Sequence, residues 1–262
     1  MTITVETENQ VAVDSPDHIA PYGVVRDNST DLDYINAVKS YFGKSELKAL
    51  DLGCAGGQLV ADFIANGVVA VGLEGSTNAL EGAGALNWNE YLNKNLFFCD
   101  LTKPYQVQQD GKPMKFDFVT SWEVVEHIAP EDLKDFFDYI KNHMSEDGVF
   151  CCSIALYPSY GEVDGEQINL HQSMFNPAKW LNIIYENGFE LCLDPSWPPM
   201  PQKNVPAGRV FDPALEYDSE ADEGVVFKSQ GIFFGYLFKD SLFRNHDRNN
   251  TSIYFCLRKK QG

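Results

Sequence analysis

Ala49-Leu50-Asp51-Leu52-Gly53-Cys54-Ala55-Gly56-Gly57-Gln58 decides the fold of this chain. Apolar residues run up to Leu52, and a turn of small residues follows. Gln58 opens a helical pattern with Leu59, Val60, Phe63 and Ile64 on one face and Gly67 as its stop. Small residues let a ligand reach the backbone, and the start of the helix offers free N–H groups. In an open parallel sheet such a turn lies at the carboxyl ends of the strands, where ligands bind.

Outward from this turn the pattern repeats. Leu47 to Leu52, Val68 to Glu74, Asn95 to Leu101, Phe116 to Ser121 and Val149 to Leu156 read as buried strands. Helices are expected over Asp31 to Phe42, over Thr77 to Tyr91 (weakened by Gly82 and Gly84), and from Pro130 with Leu133, Phe136, Phe137, Ile140 and Met144 on one side. Asn176-Pro177 caps a further helix that stops at Gly188, and Phe189 to Leu193 and Ser252 to Leu257 are two more strands. Alternation of apolar strands with helices predicts an α/β fold: a doubly wound, mostly parallel sheet with helices on both faces. The last two strands break the alternation and fit an antiparallel edge. Residues 1–30 are polar and read as a flexible N-terminal arm, and 31–262 as a single domain. Within it, 195–250 is a proline-rich, acidic insertion before the last strand, of the kind that forms a lid over substrate. Phe233, Phe234 and Tyr236 in it are candidates for a pocket lining.

The 262 residues carry 20 Lys+Arg against 38 Asp+Glu, a formal net charge of -18. Such a surface repels phosphate backbones, so a nucleic-acid partner is disfavoured. No apolar run reaches the ~20 residues a membrane helix needs, and Met1 to Glu6 lacks the basic start of a secretory signal. Cys54, Cys99, Cys151, Cys152, Cys192 and Cys256 sit in apolar runs without a Cys-x-x-Cys pair. That is the usage of buried thiols in a reducing compartment, and a cytoplasmic protein is expected.

Two cofactors compete for the turn. A dinucleotide needs glycine at its first, third and sixth positions, here Gly53, Ala55 and Gln58, and Gln58 is too large for close helix–strand packing. S-adenosylmethionine has no pyrophosphate and needs an acid at the strand end for its amino group, where Asp51 stands. Glu74 ends the second strand, placed to accept both ribose hydroxyls. Asp100 ends the third, placed to accept the adenine amino group. Three acids at successive strand ends make a row along one rim of the sheet.

Asp51-Leu52-Gly53-Cys54-Ala55-Gly56-Gly57 resembles motif I of the class I, Rossmann-like S-adenosylmethionine-dependent methyltransferases. Glu74 and Asp100 fall at that family's ribose and adenine positions. Phe116 to Ile128 looks like its fourth strand and the turn after it, and His171 to Trp180 is similar to a stretch of its small-molecule members. The resemblance implies seven strands, the seventh antiparallel between the fifth and sixth. It implies S-adenosylmethionine as cofactor and S-adenosylhomocysteine as product. It also implies cofactor contacts from Asp51, Gly53, Cys54, Ala55, Gly56, Glu74, Gly75, Ser76, Asp100, Leu101, Ser121, Trp122 and Glu123.

Departures from the family's subclasses narrow the acceptor. The fourth strand ends in Ser121-Trp122-Glu123-Val124, without the Asp/Asn-Pro-Pro-aromatic motif of base amino-methylation or a cysteine nucleophile. The fifth ends in Ser153-Ile154-Ala155-Leu156, without the Asp-Asn pair of the magnesium-dependent catechol type, so no metal is expected. A small-molecule hydroxyl fits best. Its proton needs a base, and neutral imidazole is available near pH 7. His171 and His127 are the candidates. His171 is alternatively a loop-ordering residue, and His127 one that shapes the turn before Pro130. A catalytically silent cofactor-binding protein acting through a partner, and a protein or RNA methyltransferase, are the competing readings. The sequence leaves the oligomeric state open.

Overall fold

The computed structural model describes residues 2–28, 32–192, 226–229, 232–239 and 251–260. Strand β1 is Ile3–Thr7 and helix α1 is Leu32–Phe42. Then come β2 Lys48–Leu52, α2 Gln58–Ala65, β3 Val69–Glu74, α3 Ala85–Tyr91, β4 Leu96–Phe98, β5 Tyr105–Gln109 and β6 Phe116–Trp122. Helix α4 Leu133–His143 leads into β7 Met144–Ala155, and the hairpin β8 Tyr160–Val163 and β9 Glu166–Asn169 follows. Helix α5 Pro177–Glu186, β10 Phe189–Leu191, β11 Val226–Ser229, β12 Ile232–Lys239 and β13 Thr251–Lys259 complete the chain.

The main sheet runs β11-β12-β13-β7-β6-β2-β3-β4, with β10 also paired to β13. β4, β3, β2, β6 and β7 are parallel neighbours. β13 is antiparallel to β7 on one side and to β10 on the other. Seven of these strands are the expected set, with the last one reversed between the fifth and the sixth. β11 and β12 extend the same edge from within the 195–250 insertion. The rest of that insertion lies outside the described residues, as do the side chains of Phe233, Phe234 and Tyr236 in β12.

Side chains alternate across a strand, so both faces of a central strand must be covered. Leu50, Leu52, Val71, Leu73, Val119, Phe150 and Ile154 pack on one face with Phe136, Phe137 and Ile140 of α4 and Trp180 and Ile184 of α5. Ala49, Ala70, Phe118, Val149 and Cys151 pack on the other with Tyr34, Ile35 and Val38 of α1, Val60 and Phe63 of α2, and Trp88 of α3. The sheet is therefore doubly wound.

Three local readings change. The expected helix over 77–91 is two 3₁₀ turns, Thr77–Leu80 and Gly82–Gly84, with α-helix only from Ala85. The glycines permit close backbone approach. A Cβ on Gly82 (φ +64°) would lie 2.2 Å from the Val25 carbonyl oxygen, and one on Gly84 2.3 Å from the Gly56 Cα. Helix α4 starts at Leu133 rather than Pro130, and Met144 begins β7. Ile3–Thr7 in the expected arm is a strand, paired antiparallel to β5 with Val5 opposite Val107. Ile3 is buried in the core, and that burial anchors a segment whose polarity alone suggested a loose chain.

The arm then crosses the carboxyl rim of the sheet. Asp100 N–H donates to the Asn9 carbonyl at 2.9 Å, Ala12 N–H to Gly75 at 2.8 Å, and Gly56 N–H to Asp27 at 2.9 Å. Ala83 N–H donates to Val25 at 3.1 Å. These bonds lay residues 9–28 over the turn after β2 and the ends of β3 and β4. The hairpin β8–β9 turns through Asp164-Gly165, both at positive φ (53° and 83°), the two-residue form that matches strand twist.

Candidate active site

The rim and the arm enclose a cavity of about 1070 Å³. The turn between β2 and α2 forms its floor. Gly53 sits at φ +71°, and a Cβ there would stand 2.5 Å from Val124 Cγ2, so the close passage of the two loops requires glycine. Ala55 also has positive φ (43°), which turns its N–H onto Glu74: Ala55 N–H donates to Glu74 Oε2 and Ser76 N–H to Oε1, each at 2.9 Å. Burial pushes the Glu74 carboxyl up to about 7, against the lowering effect of those N–H groups. Asp100 Oδ1 accepts from the Thr102 N–H at 2.9 Å and its hydroxyl at 2.7 Å, which holds the carboxylate at the rim.

The cavity wall brings together Gly53, Ala55, Glu74, Gly75, Ser76, Asp100, Leu101, Trp122, Glu123, His127 and His171. Four expected cofactor residues are elsewhere. Asp51 is buried and accepts the Thr120 hydroxyl at 2.7 Å, from the residue beside it in the sheet. Cys54 is buried, and burial and then the Glu74 and Asp51 charges raise its thiol well above the ordinary range. Gly56 is covered by the arm, since a Cβ on it would meet Asn28 Oδ1 at 2.5 Å. Ser121 is fully buried within β6.

The opposite end of the cavity is built by the turn after β6 and the loop after β9. Glu123 (φ +54°) takes the chain sharply off β6, its N–H donating to the Ser153 carbonyl at 3.1 Å and its Oε2 accepting the Ser252 hydroxyl at 2.8 Å. Trp122 stacks on Tyr254, centroids 6.0 Å apart. The rings of His127 and His171 stand 4.6 Å apart and nearly perpendicular, at 82°. His127 Nδ1 lies 2.6 Å from Asp17 Oδ2 of the arm. Burial disfavours the charged imidazole, but Asp17, then Glu126 and Glu123, outweigh it and raise His127 to about 9. For His171, burial and the neighbouring His127 lower it to about 4. Its Nδ1 lies 2.5 Å from the Tyr157 carbonyl, which fixes the tautomer with hydrogen on Nδ1 and a lone pair on Nε2.

Sequence reasoning missed two groups here. Glu126 is fully buried and accepts the Ala155 N–H on Oε1 at 3.0 Å. Burial, with Glu123 beside it, raises its carboxyl to about 8. Its place next to His127 in Glu123-Val124-Val125-Glu126-His127 was a visible signal. Asp17 carried none, because only the path of the arm brings it to His127.

A family model described as a methyltransferase domain matches residues 30–193, and the chain belongs to that family. A curated relative, the ubiquinone biosynthesis O-methyltransferase of Glaesserella parasuis serovar 5 (strain SH0165), is 30% identical over 130 residues, 48% of this chain. The match spans about half of that relative's length, 52%. Among solved structures, an S-adenosylmethionine-dependent methyltransferase from Clostridium acetobutylicum ATCC 824 superposes with a TM-score of 0.51 at 13% identity, over 90% of this chain and 93% of that one. The PH0226 protein from Pyrococcus horikoshii OT3 does so with a TM-score of 0.52 at 12% identity, over 91% and 96%. At these identities the structural likeness concerns the fold, which is that of class I methyltransferases.

Proposed function

We propose that this chain transfers the methyl group of S-adenosylmethionine to a hydroxyl of a small molecule and releases S-adenosylhomocysteine. One observation carries the reading: a single cavity joins the glycine turn, Glu74 and Asp100 at one end to His127 and His171 at the other. The backbone of Gly53 and Ala55 cradles the amino-acid part of the cofactor, Glu74 accepts the ribose hydroxyls, and Asp100 and Leu101 border the adenine. Glu74 now accepts two backbone N–H groups, so it is already held in an acceptor orientation and the ribose adds to a formed site. Asp51 acts from behind the turn, through Thr120 and the strand end.

The reaction is a displacement at a sulfonium. The acceptor oxygen forms a bond to the methyl carbon as the carbon–sulfur bond breaks, and the electron pair stays on sulfur. Most of the acceleration comes from alignment of the oxygen with that bond. The acceptor enters at the histidine end, where His171 presents the lone pair of Nε2 toward its hydroxyl. The similarity to a ubiquinone biosynthesis O-methyltransferase supports oxygen as the receiving atom.

Titration calorimetry with S-adenosylmethionine, S-adenosylhomocysteine and NADH on the wild type and Glu74→Ala tests the cofactor. Binding of both adenosyl ligands, weakened in the variant and absent for NADH, is expected. Labelled methyl transfer into fractionated extracts tests the acceptor. Label in small molecules at an ether linkage is expected, and label confined to protein, RNA or nitrogen overturns the acceptor assignment.

A further inference from the structure

We propose that Glu126, His127 and His171 form a binding site for a divalent first-row cation of the zinc type at the acceptor end of the cavity. Each residue offers one donor atom, and these atoms lie within 4.8 Å of one another. The donor set is two imidazoles and one carboxylate, with the cavity supplying open positions, which is the composition of a catalytic rather than a structural zinc site. Metal–ligand bonds of about 2.1 Å place neighbouring donors roughly 3–4 Å apart, so the three donors would draw together by roughly 1 Å around a bound cation.

Two further observations point to an occupant. Glu126 is 0% exposed, and its Oε2 has no hydrogen-bond partner among the described residues. Burial leaves that oxygen uncompensated, whereas a cation satisfies it. Both rings are also held from outside. The Tyr157 carbonyl engages Nδ1 of His171, and the Asp17 carboxylate stands 2.6 Å from Nδ1 of His127. His171 thereby offers the lone pair of Nε2, and His127 offers its Nε2 once a cation displaces its proton. A carboxylate or carbonyl behind a ligating histidine is the usual outer support of a metal site.

This inference rests on the methyl-transfer reading and replaces the metal-free expectation. A cation here binds the acceptor hydroxyl and lowers its pKa. The hydroxyl proton leaves to water, the oxygen attacks the methyl carbon, and the carbon–sulfur pair goes to sulfur. His171 then serves as ligand rather than as base, and specificity falls on acceptors that reach a metal, such as hydroxyls with a second oxygen nearby.

The test uses the full chain freed of metal with a chelator. Zn²⁺ is titrated by calorimetry, and Co²⁺ by its visible ligand-field absorption. One cation per chain is expected, weakened by at least about 100-fold in Glu126→Gln and His171→Ala, and about 10- to 100-fold in Asp17→Asn, which keeps every ligand. Melting curves separate lost sites from lost folding, and Asp17→Asn carries the test if the buried variants do not fold. No cation binding by the wild type, or equal binding by the three variants, overturns the proposal. S-adenosylhomocysteine binding is measured on the same samples. Its loss with cation binding intact sinks the methyl-transfer reading alone, and its retention without cation binding sinks the metal site alone.

Discussion

Glu74 concentrates the electrostatics of the cofactor end in one residue. Its carboxyl titrates near 7 because burial outweighs the two N–H groups it accepts. A hydroxyl donates better to the ionised form, so cofactor affinity should rise about tenfold between pH 6 and pH 8, following the ionised fraction of a group with pKa near 7. Calorimetry across that range checks this, and Glu74→Ala should bind at least about a hundredfold more weakly with a flat profile, from loss of charged hydrogen bonds worth about 1.5–3 kcal/mol each. A profile that falls with pH in the wild type would contradict the ribose assignment. The sign for stability is opposite. The folded-state pKa is raised, so the contribution of Glu74 is full below about 4.5 and is lost as pH climbs through about 7. The unliganded protein therefore gives up stability between about pH 4.5 and 7, a window that overlaps the rise in affinity only below pH 7.

Among the elements, β2 and the 3₁₀ segment before α3 make the sharpest predictions. Leu50 is fully buried between Val71 and Val119. Leu50→Ala should cost about 2–5 kcal/mol, a fall in melting temperature of roughly 5–15 °C by calorimetric scan. Gly82→Ala acts differently. Its φ of +64° and the Val25 carbonyl 2.2 Å from the new Cβ force the arm away from the rim. Limited proteolysis should then cut within residues 9–28 faster than in the wild type, while global stability falls by only about 1–3 kcal/mol. Unchanged cleavage would mean that the arm is held by other contacts. The two glycines looked like weak helix formers in the sequence. In the structure they are the places where the arm and the turn after β2 come too close for a side chain.

Over the whole molecule, a formal charge of -18 makes the folded state repel itself. Raising ionic strength from about 0.01 M to 0.15 M shortens the screening length from about 30 Å to about 8 Å. The melting temperature should therefore rise by a few degrees, roughly 1 kcal/mol, and no rise would mean that the acids are already paired. At this scale the division between sequence and tertiary structure is also visible. The seven strands β2, β3, β4, β6, β7, β10 and β13, the helices α1, α2, α4 and α5, the turn at Gly53 and the acids Glu74 and Asp100 follow from periodicity and from short-range motifs. Each depends on neighbours within a few residues, and local sterics and burial write that pattern directly into the chain. The pairing of β1 with β5, the path of residues 9–28, the withdrawal of Asp51, Cys54, Gly56 and Ser121 from the wall, and the meeting of Asp17, Glu126, His127 and His171 were settled only in three dimensions. Their partners are distant along the chain, as Val5 is from Val107 and Asp17 from His127. No periodicity records such contacts, because they form only when separate elements pack against the same rim of the sheet.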